Sequence, residues 1–333
     1  MICAADLSLK FVRSALAMKL VYAPRASAIL YDLLLSENNG RPFLLPANIC
    51  PIVPITFFKA GVPFEFVDIS RESLNMDLDH TRASLHGQSG GYGGVLYVHT
   101  YGDPSTPQDF FREIKNQFPD LLLIDDRCLC IPDLESDSST NADVVLYSTG
   151  YAKIADLGFG GYAFLQERLN YKHRSLPFYD SDLETIEQAY KKSMKTRQPY
   201  VYVDAHWLQT DFELPSWQEY STRVYKATES SLTHRQSINV VYNSLIPREL
   251  CLPDEYQLWR FNLRVPEKNK ILNAIFNENL FASSHYASLA NLMSDDSCPI
   301  AQELADHVIN LFNDEHYTVE MAEQTSRIIM RSI

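Results

Sequence analysis

The chain has no excess of basic charge: 29 Lys and Arg stand against 42 Asp and Glu, a formal net charge of -13 over 333 residues. A protein that reads nucleic acid or lies on an anionic membrane surface carries the opposite balance, so neither partner is expected. Nor is there a run approaching the roughly 18 apolar residues that a membrane span needs. The opening MICAADLSLKFVRSALAM lacks a basic start followed by an apolar block, and a cytoplasmic protein is the expectation. Six cysteines (Cys3, Cys50, Cys128, Cys130, Cys251 and Cys298) have no framework spacing, which fits free thiols in a reducing compartment. A Ser-His-Asp hydrolase is unsupported without a G-x-S-x-G elbow. No His/Asp/Glu cluster has metal-ligand spacing, and Cys128-x-Cys130 has no second pair to complete a site, so no metal is expected. Internal repeats and low-complexity tracts are also absent.

What is present is an alternation. Ala26 to Leu35, Pro51 to Ala60, Leu78 to Leu85 and Thr106 to Gln117 read as helices, with Pro51 in a first turn and Gly61 at a helix end. Between them Pro42 to Leu45, Val62 to Val67, Val95 to Val98 and the run from Leu121 read as strands. Short connections between such pieces predict a mostly parallel, doubly wound sheet. The glycine-rich GQSGGYGG, Gly87 to Gly94, lacks a Walker lysine and precedes a strand, so it reads as a connection and not a phosphate cradle. After Phe164 the alternation fades. Asp182 to Lys195 reads as a charged surface helix, and Arg197 to Pro215 has no period. A long helix from Trp217 to Leu245 is expected to join two domains, 1–215 and 216–333, as the length of the chain also suggests. The second would hold a strand, Leu258 to Val265, and helices at Lys268 to Asn279, Pro299 to Asn313 and Val319 to Met330.

The stretch Leu121 to Phe164 carries the chemistry. LLLI followed by Asp125 and Asp126 predicts a buried parallel strand delivering a carboxylate to the edge of the sheet, where ligand sites of open α/β sheets lie. A second apolar run, Val144 to Tyr147, ends in Ser148. Ser-Thr-Gly then turns the chain before Lys153 and the glycine-bearing Asp156 to Gly161. A lysine that forms a Schiff base with pyridoxal phosphate needs a carboxylate for the pyridine nitrogen, donors for the phosphate and a tight turn, and this stretch supplies all three. Taken singly, a lone lysine is usually a solvated charge, and an aspartate after a strand is often a helix cap.

The order of the pieces resembles the DegT/StrS-type nucleotide-sugar aminotransferases, pyridoxal-phosphate enzymes of fold type I. LLPANICPIVPITFFKAGVPFEFVDISRESLNMD is similar to that family's strand, helix, strand and FVDI-x-x-x-x-LNMD segment. VHTYGDPSTPQDF resembles its VHLYG segment, IDDRC its EDAA strand end, and Ser148 with Lys153 its S-x-x-x-x-K spacing. WRFNLRV, ASSHYASL and PIAQELADHVINL resemble its small domain and closing helix.

The resemblance implies a large cofactor domain with a mostly parallel central sheet flanked by helices, and a smaller α+β C-terminal domain. It implies Lys153 as attachment point and proton carrier, Asp126 as partner of the pyridinium nitrogen, and Ser148 with the amides of Ala26 and Ser27 as phosphate donors. His99 would lie near the cofactor, His285 and Tyr286 near the substrate, and Asp125 would be a structural partner. The expected protein is a homodimer with its site at the subunit interface, moving an amino group from glutamate or glutamine to a keto group of a nucleotide-linked sugar or related small molecule. Five departures leave the acceptor open: Cys50 where the family often has a stacking aromatic, Leu129 where it has Gln or His, Phe159 in place of an acid, Ala290 in place of a second histidine, and Arg197 to Glu219 in place of a G-x-N-x-R segment. His99 or an aromatic such as Trp207 would then take over stacking. An elimination on the same cofactor, or a degenerate cofactor-binding domain, are the alternative readings.

Overall fold

In the computed structural model, which describes residues 18–87, 91–136 and 140–333, the chain begins with β1 (Met18–Ala23) and then alternates as expected through α1 (Ala26–Ser36), β2 (Phe43–Pro46), α2 (Ile52–Ala60), β3 (Phe64–Val67), α3 (Leu78–Gly87), β4 (Gly94–Val98), α4 (Gln108–Gln117), β5 (Leu122–Asp126) and β6 (Val144–Ser148). Gly61 ends α2 at φ +66°, a left-handed conformation that costs glycine nothing. Most of the Gly87 to Gly94 connection is described, but residues 88–90 within it lie outside the described residues. Then follow β7 (Gly161–Gln166), α5 (Asp180–Thr196), α6 (Trp217–Leu245), β8 (Phe261–Arg264), α7 (Lys268–Asn277), β9 (Ala282–Ser283), α8 (Pro299–His307), β10 (Val308–Leu311) and α9 (Val319–Ser332).

Seven strands form one sheet in the order β1-β7-β6-β5-β4-β2-β3. Neighbours from β3 to β6 pair in parallel, and β7 pairs antiparallel with both β6 and β1. Because side chains alternate along a strand, β4, β5 and β6 feed two cores. Leu96, Val98, Ile124, Val144 and Leu146 pack with Ile29 and Leu33 of α1 and Phe57 of α2. On the other face, Val95, Tyr97, Leu123, Val145 and Tyr147 pack with Phe110 and Ile114 of α4 and with Tyr220 and Val224 of α6.

A second sheet, β8-β10-β9, is antiparallel. Its core joins Phe261, Leu263 and Ile309 to Ile238 and Tyr242 of α6 and Ile329 of α9. The 29-residue α6 thus has one end in the core of the large sheet and the other in that of the small one. Ser216 starts this helix by accepting a hydrogen bond from the Glu219 amide.

The helix expected from Pro299 to Asn313 is corrected: it stops at His307, and Val308–Leu311 is the central strand of the small sheet. Val308, Ile309 and Leu311 are fully buried there, and Asn310, also buried, donates to Asn262 at 2.7 Å. β-branched residues and a two-sided core favour the strand over the helical period. Three strands go unread in the sequence: β1 and β7, which form the antiparallel edge of the large sheet, and the two-residue β9 of the small sheet. No helix among the described residues is long and apolar enough to cross a membrane.

Candidate active site

β5 and β6 are parallel neighbours, with Asp126 paired opposite Leu146, so Ser148 emerges beyond it at the carboxyl edge. The alternation that buries Ile124 and Leu146 against α1 puts Asp126 and Ser148 on that same face. Across from them lies the start of α1. Its preceding residue, Arg25, is extended and gives no side-chain cap, which leaves first-turn amides available to a ligand. These groups line one cavity of about 680 Å³, together with Lys153 and Cys50.

The turn that carries Lys153 follows β6 directly. Ala152 has φ +59°, and its amide donates to Asp156 Oδ2 at 2.7 Å; the Leu157 amide donates to the Thr149 carbonyl at 2.9 Å. A Cβ added at Gly150 would lie 3.6 Å from Arg25 Nη1 and 3.7 Å from Ser148 Oγ, so the serine, the arginine and the first turn of α1 converge on one spot. The close approach of β7 to α1 needs Gly161, where an added Cβ would fall 2.4 Å from the Ala26 nitrogen.

Asp126 is 6% exposed and accepts from the Cys128 amide at 2.9 Å. Burial raises its carboxyl above the usual carboxylate range, against the opposing pull of the Cys128 bonds and of the Lys153 and His99 charges. Burial also pushes up the Cys50 and Cys128 thiols, so both are neutral S–H groups at neutral pH. Tyr190 of α5, on the same cavity wall, is pushed up to about 12, first by burial and then by Cys50. It is therefore a phenol that can donate.

Three residues expected near the chemistry do not line this cavity. His99 continues the alternation of Val95 and Tyr97, which points it to the opposite face of the sheet. It is 1% exposed, Nε2 lies 2.7 Å from Asp125 and Nδ1 lies 2.6 Å from the Asp103 carbonyl, so both ring nitrogens are engaged. Asp125 also accepts from Arg127 at 2.8 Å, the structural part expected of it. His285 and Tyr286 are held by aromatic neighbours: Tyr286 is buried and stacks on Trp259, and the His285 carbonyl accepts from Tyr101 at 2.7 Å. The surrounding protein and the Arg260 and Lys153 charges lower the His285 pKa, while its edge stays exposed.

Little in the sequence signals what closes the cavity. α5 contributes Leu183, Ile186 and Tyr190, and the aperiodic segment after it contributes Trp207 and Leu208, which are 2% and 1% exposed. That segment is tied down by Lys59, which donates to Asp204 and to the Ala205 carbonyl, and by the His206 amide, which donates to Asp182 of α5 at 2.8 Å. Trp207 was the legible signal here, the largest of several aromatic rings in a stretch without a period.

The residues present fit pyridoxal phosphate at two of its ends. Uncapped helix amides and the Ser148 hydroxyl suit a phosphate, and a buried carboxylate of raised pKa suits a cationic ring nitrogen that would restore its charge. The fit is thinner at the ring hydroxyl, because Leu129 is buried off the cavity and has no donor in its side chain. Among the described residues no three His, Cys, Asp or Glu side chains come together as metal ligands.

Comparison with solved structures decides the fold. A DegT DnrJ EryC1 StrS aminotransferase from Brucella abortus is similar at 14% identity, covering 94% of this chain and 85% of that one with a TM-score of 0.67. The fold is that of the DegT DnrJ EryC1 StrS aminotransferases. A sugar aminotransferase from Streptococcus pneumoniae in its PLP-form is similar at 16% identity over 95% and 88% of the two chains, TM-score 0.67. DesI, solved in the presence of its TDP-sugar product, is similar at 15% identity over 94% and 80%, TM-score 0.68. No protein-family model and no curated protein matches the chain. On this aminotransferase fold the cavity sits at the carboxyl ends of β5 and β6.

Proposed function

We propose that the protein is a pyridoxal-phosphate-dependent aminotransferase of the sugar aminotransferase type. The observation that carries this reading is the meeting of Lys153, Asp126, Ser148 and the open N-terminus of α1 around one cavity. The structures it resembles support it, one of them in a PLP-form and one beside a TDP-sugar product.

When bound, the cofactor supplies an electron sink next to the carbon that gains or loses the amino group. In this reading Lys153 is its covalent anchor and, once released, the base that carries a proton between two carbons. Asp126 keeps the ring nitrogen protonated. Ser148 and the amides of Ala26 and Ser27 bind the phosphate. Trp207 and Leu208 hold water away from the ring and give it the apolar wall that Cys50 does not. The donor is glutamate or glutamine, and the acceptor a keto group on a nucleotide-linked sugar or a related small molecule. Division into domains 1–215 and 216–333 belongs to the same reading. So does a homodimer, in which a second copy would cover the exposed Tyr151, Val201, Val203 and Phe212.

The test is spectroscopic. Purified protein with pyridoxal phosphate should absorb as a lysine adduct, borohydride should fix the cofactor on Lys153, and glutamate should convert it to the pyridoxamine form. Lys153→Ala should lose the fixed adduct and turnover; normal turnover in that variant would overturn the reading.

A further inference from the structure

Arg235 of α6 is a buried cation without a buried anion. Its side chain is 1% exposed, yet among the described residues it forms no ion pair. The nearest acid by charge, Asp314, is paired with Arg260 instead. A guanidinium in that setting carries a desolvation cost, and burial together with Arg260 pulls its pKa down to about 10. Its partners are neutral oxygens: the Trp259 carbonyl at 2.5 Å, Asn313 Oδ1 at 2.6 Å, Ser231 Oγ at 2.9 Å and the carbonyl of Lys153 at 3.2 Å. One residue earlier in the turn, the Ala152 carbonyl accepts from Trp259 Nε1 at 2.7 Å. Trp259 is itself held between the stacked rings of Tyr101 and Tyr286.

Packing alone does not hold this turn. Lys153 lines the large cavity on one side and a second cavity of about 190 Å³ on the other, where Arg235, His234 and Asp314 are also found. Tyr151 is 74% exposed, and Ala152 keeps a φ of +59° that an alanine adopts only when its surroundings impose it. Two consecutive carbonyls with donors from the C-terminal part of the chain are such an imposition.

We infer that Arg235 and Trp259 are positioning residues for Lys153, gripping the Ala152 and Lys153 carbonyls so that the lysine is aimed into the cavity only while the C-terminal part is docked. The inference rests on the reading of Lys153 as the attachment point.

The experiment uses the full chain without cofactor and compares Trp259→Phe, which keeps a ring and loses the donor, with Arg235→Met and Arg235→Lys. Amide exchange at Ala152 and Leu157 should quicken about fivefold in Trp259→Phe and Arg235→Met while β5 and β6 amides change less. Arg235→Lys should recover part of the protection. With pyridoxal phosphate added, the pH profile of borohydride fixation on Lys153 should shift in the two disrupted variants. Unchanged exchange in the turn would overturn the inference, whether or not the melting temperature falls. If wild-type protein fixes no pyridoxal phosphate on Lys153, the functional reading fails, and the exchange result still decides the grip.

Discussion

Asp126 carries a burial cost that its neighbours only partly offset. Its raised folded pKa means that the ionised form is disfavoured in the folded protein. The cost is present above the folded pKa and is relieved as pH falls through it, so this group alone makes the cofactor-free protein more stable toward mild acid. Asp126→Asn should therefore stabilise the cofactor-free protein at neutral pH, by on the order of 1 kcal/mol, and flatten that dependence. The same variant should bind pyridoxal phosphate at least about tenfold more weakly, since a neutral amide gives up an ion pair worth a few kcal/mol at a buried site. Melts between pH 5 and 7.5 and a cofactor titration check both; an Asn variant that is less stable at neutral pH and binds normally would contradict the argument. Asp126, Ser148 and Lys153 were legible because strand period and a short turn suffice to bring them together. His99 was not, because its motif says that it is near the strand end and only the alternation set by Val95 and Tyr97 says which face it takes. Arg235 left no sequence signal, being one polar residue in a mostly polar helix.

At the level of elements, the site depends on how closely β7 and α1 approach. Adding a Cβ at Gly161 would place it 2.4 Å from the Ala26 nitrogen and 2.6 Å from its Cα, contacts with backbone that no rotamer change relieves. Gly161→Ala should push the start of α1 away from Ser148. A cost of about 1–3 kcal/mol in stability, as for other overpacked sites, should come with weaker cofactor binding, read by melting and by titration. Trp207→Ala tests the opposite wall: it removes a buried ring and should cost about 3–5 kcal/mol while admitting water to the cavity, so cofactor affinity should drop while Lys153 remains reactive. Apart from α8, the helices were read to within about two residues of their ends, because breakers such as Pro51 and Gly61 are local. β10 was misread because ADHVINL continues a helical period, and only β8 and β9 on either side make a strand of it. The segment from Arg197 to Pro215 has no period to read, since its fold is set by Lys59 and α5.

For the whole molecule, the mostly parallel sheet followed from the alternation of helices and strands, while the antiparallel edge of β1 and β7 did not, since neither strand has a signal independent of its neighbours. What most resists reading from sequence is how the two sheets are held together, because those bonds join residues more than 200 positions apart. α8 begins at Cys298 without a side-chain cap of its own. Asp68, at the end of β3 in the large sheet, supplies one, accepting from the Ile300 amide at 2.9 Å and from the Ala301 amide at 2.8 Å. The carboxylate is 7% exposed and also favoured by the positive end of the helix. Nearby, the Phe66 amide donates to Asp296 at 2.7 Å and the Leu289 amide to the Ala47 carbonyl at 2.9 Å. With α6 rooted in both cores, these bonds predict that the two sheets unfold together. Trp217, packed on Tyr22 and Tyr162, reports on the large sheet, and Trp259, stacked on Tyr101 and Tyr286 within the core that the large sheet shares with the C-terminal part, reports on the docking of that part. Single-tryptophan variants retaining one or the other should give coincident urea transitions. Asp68→Ala should lower the midpoint by the loss of a buried cap, about 1–3 kcal/mol, and should be the substitution that separates the two transitions, with the Trp259 signal lost first. Separate transitions in the parent protein would mean that α6 bends or frays between its two cores, and that the grip on Lys153 can be released without unfolding the large sheet.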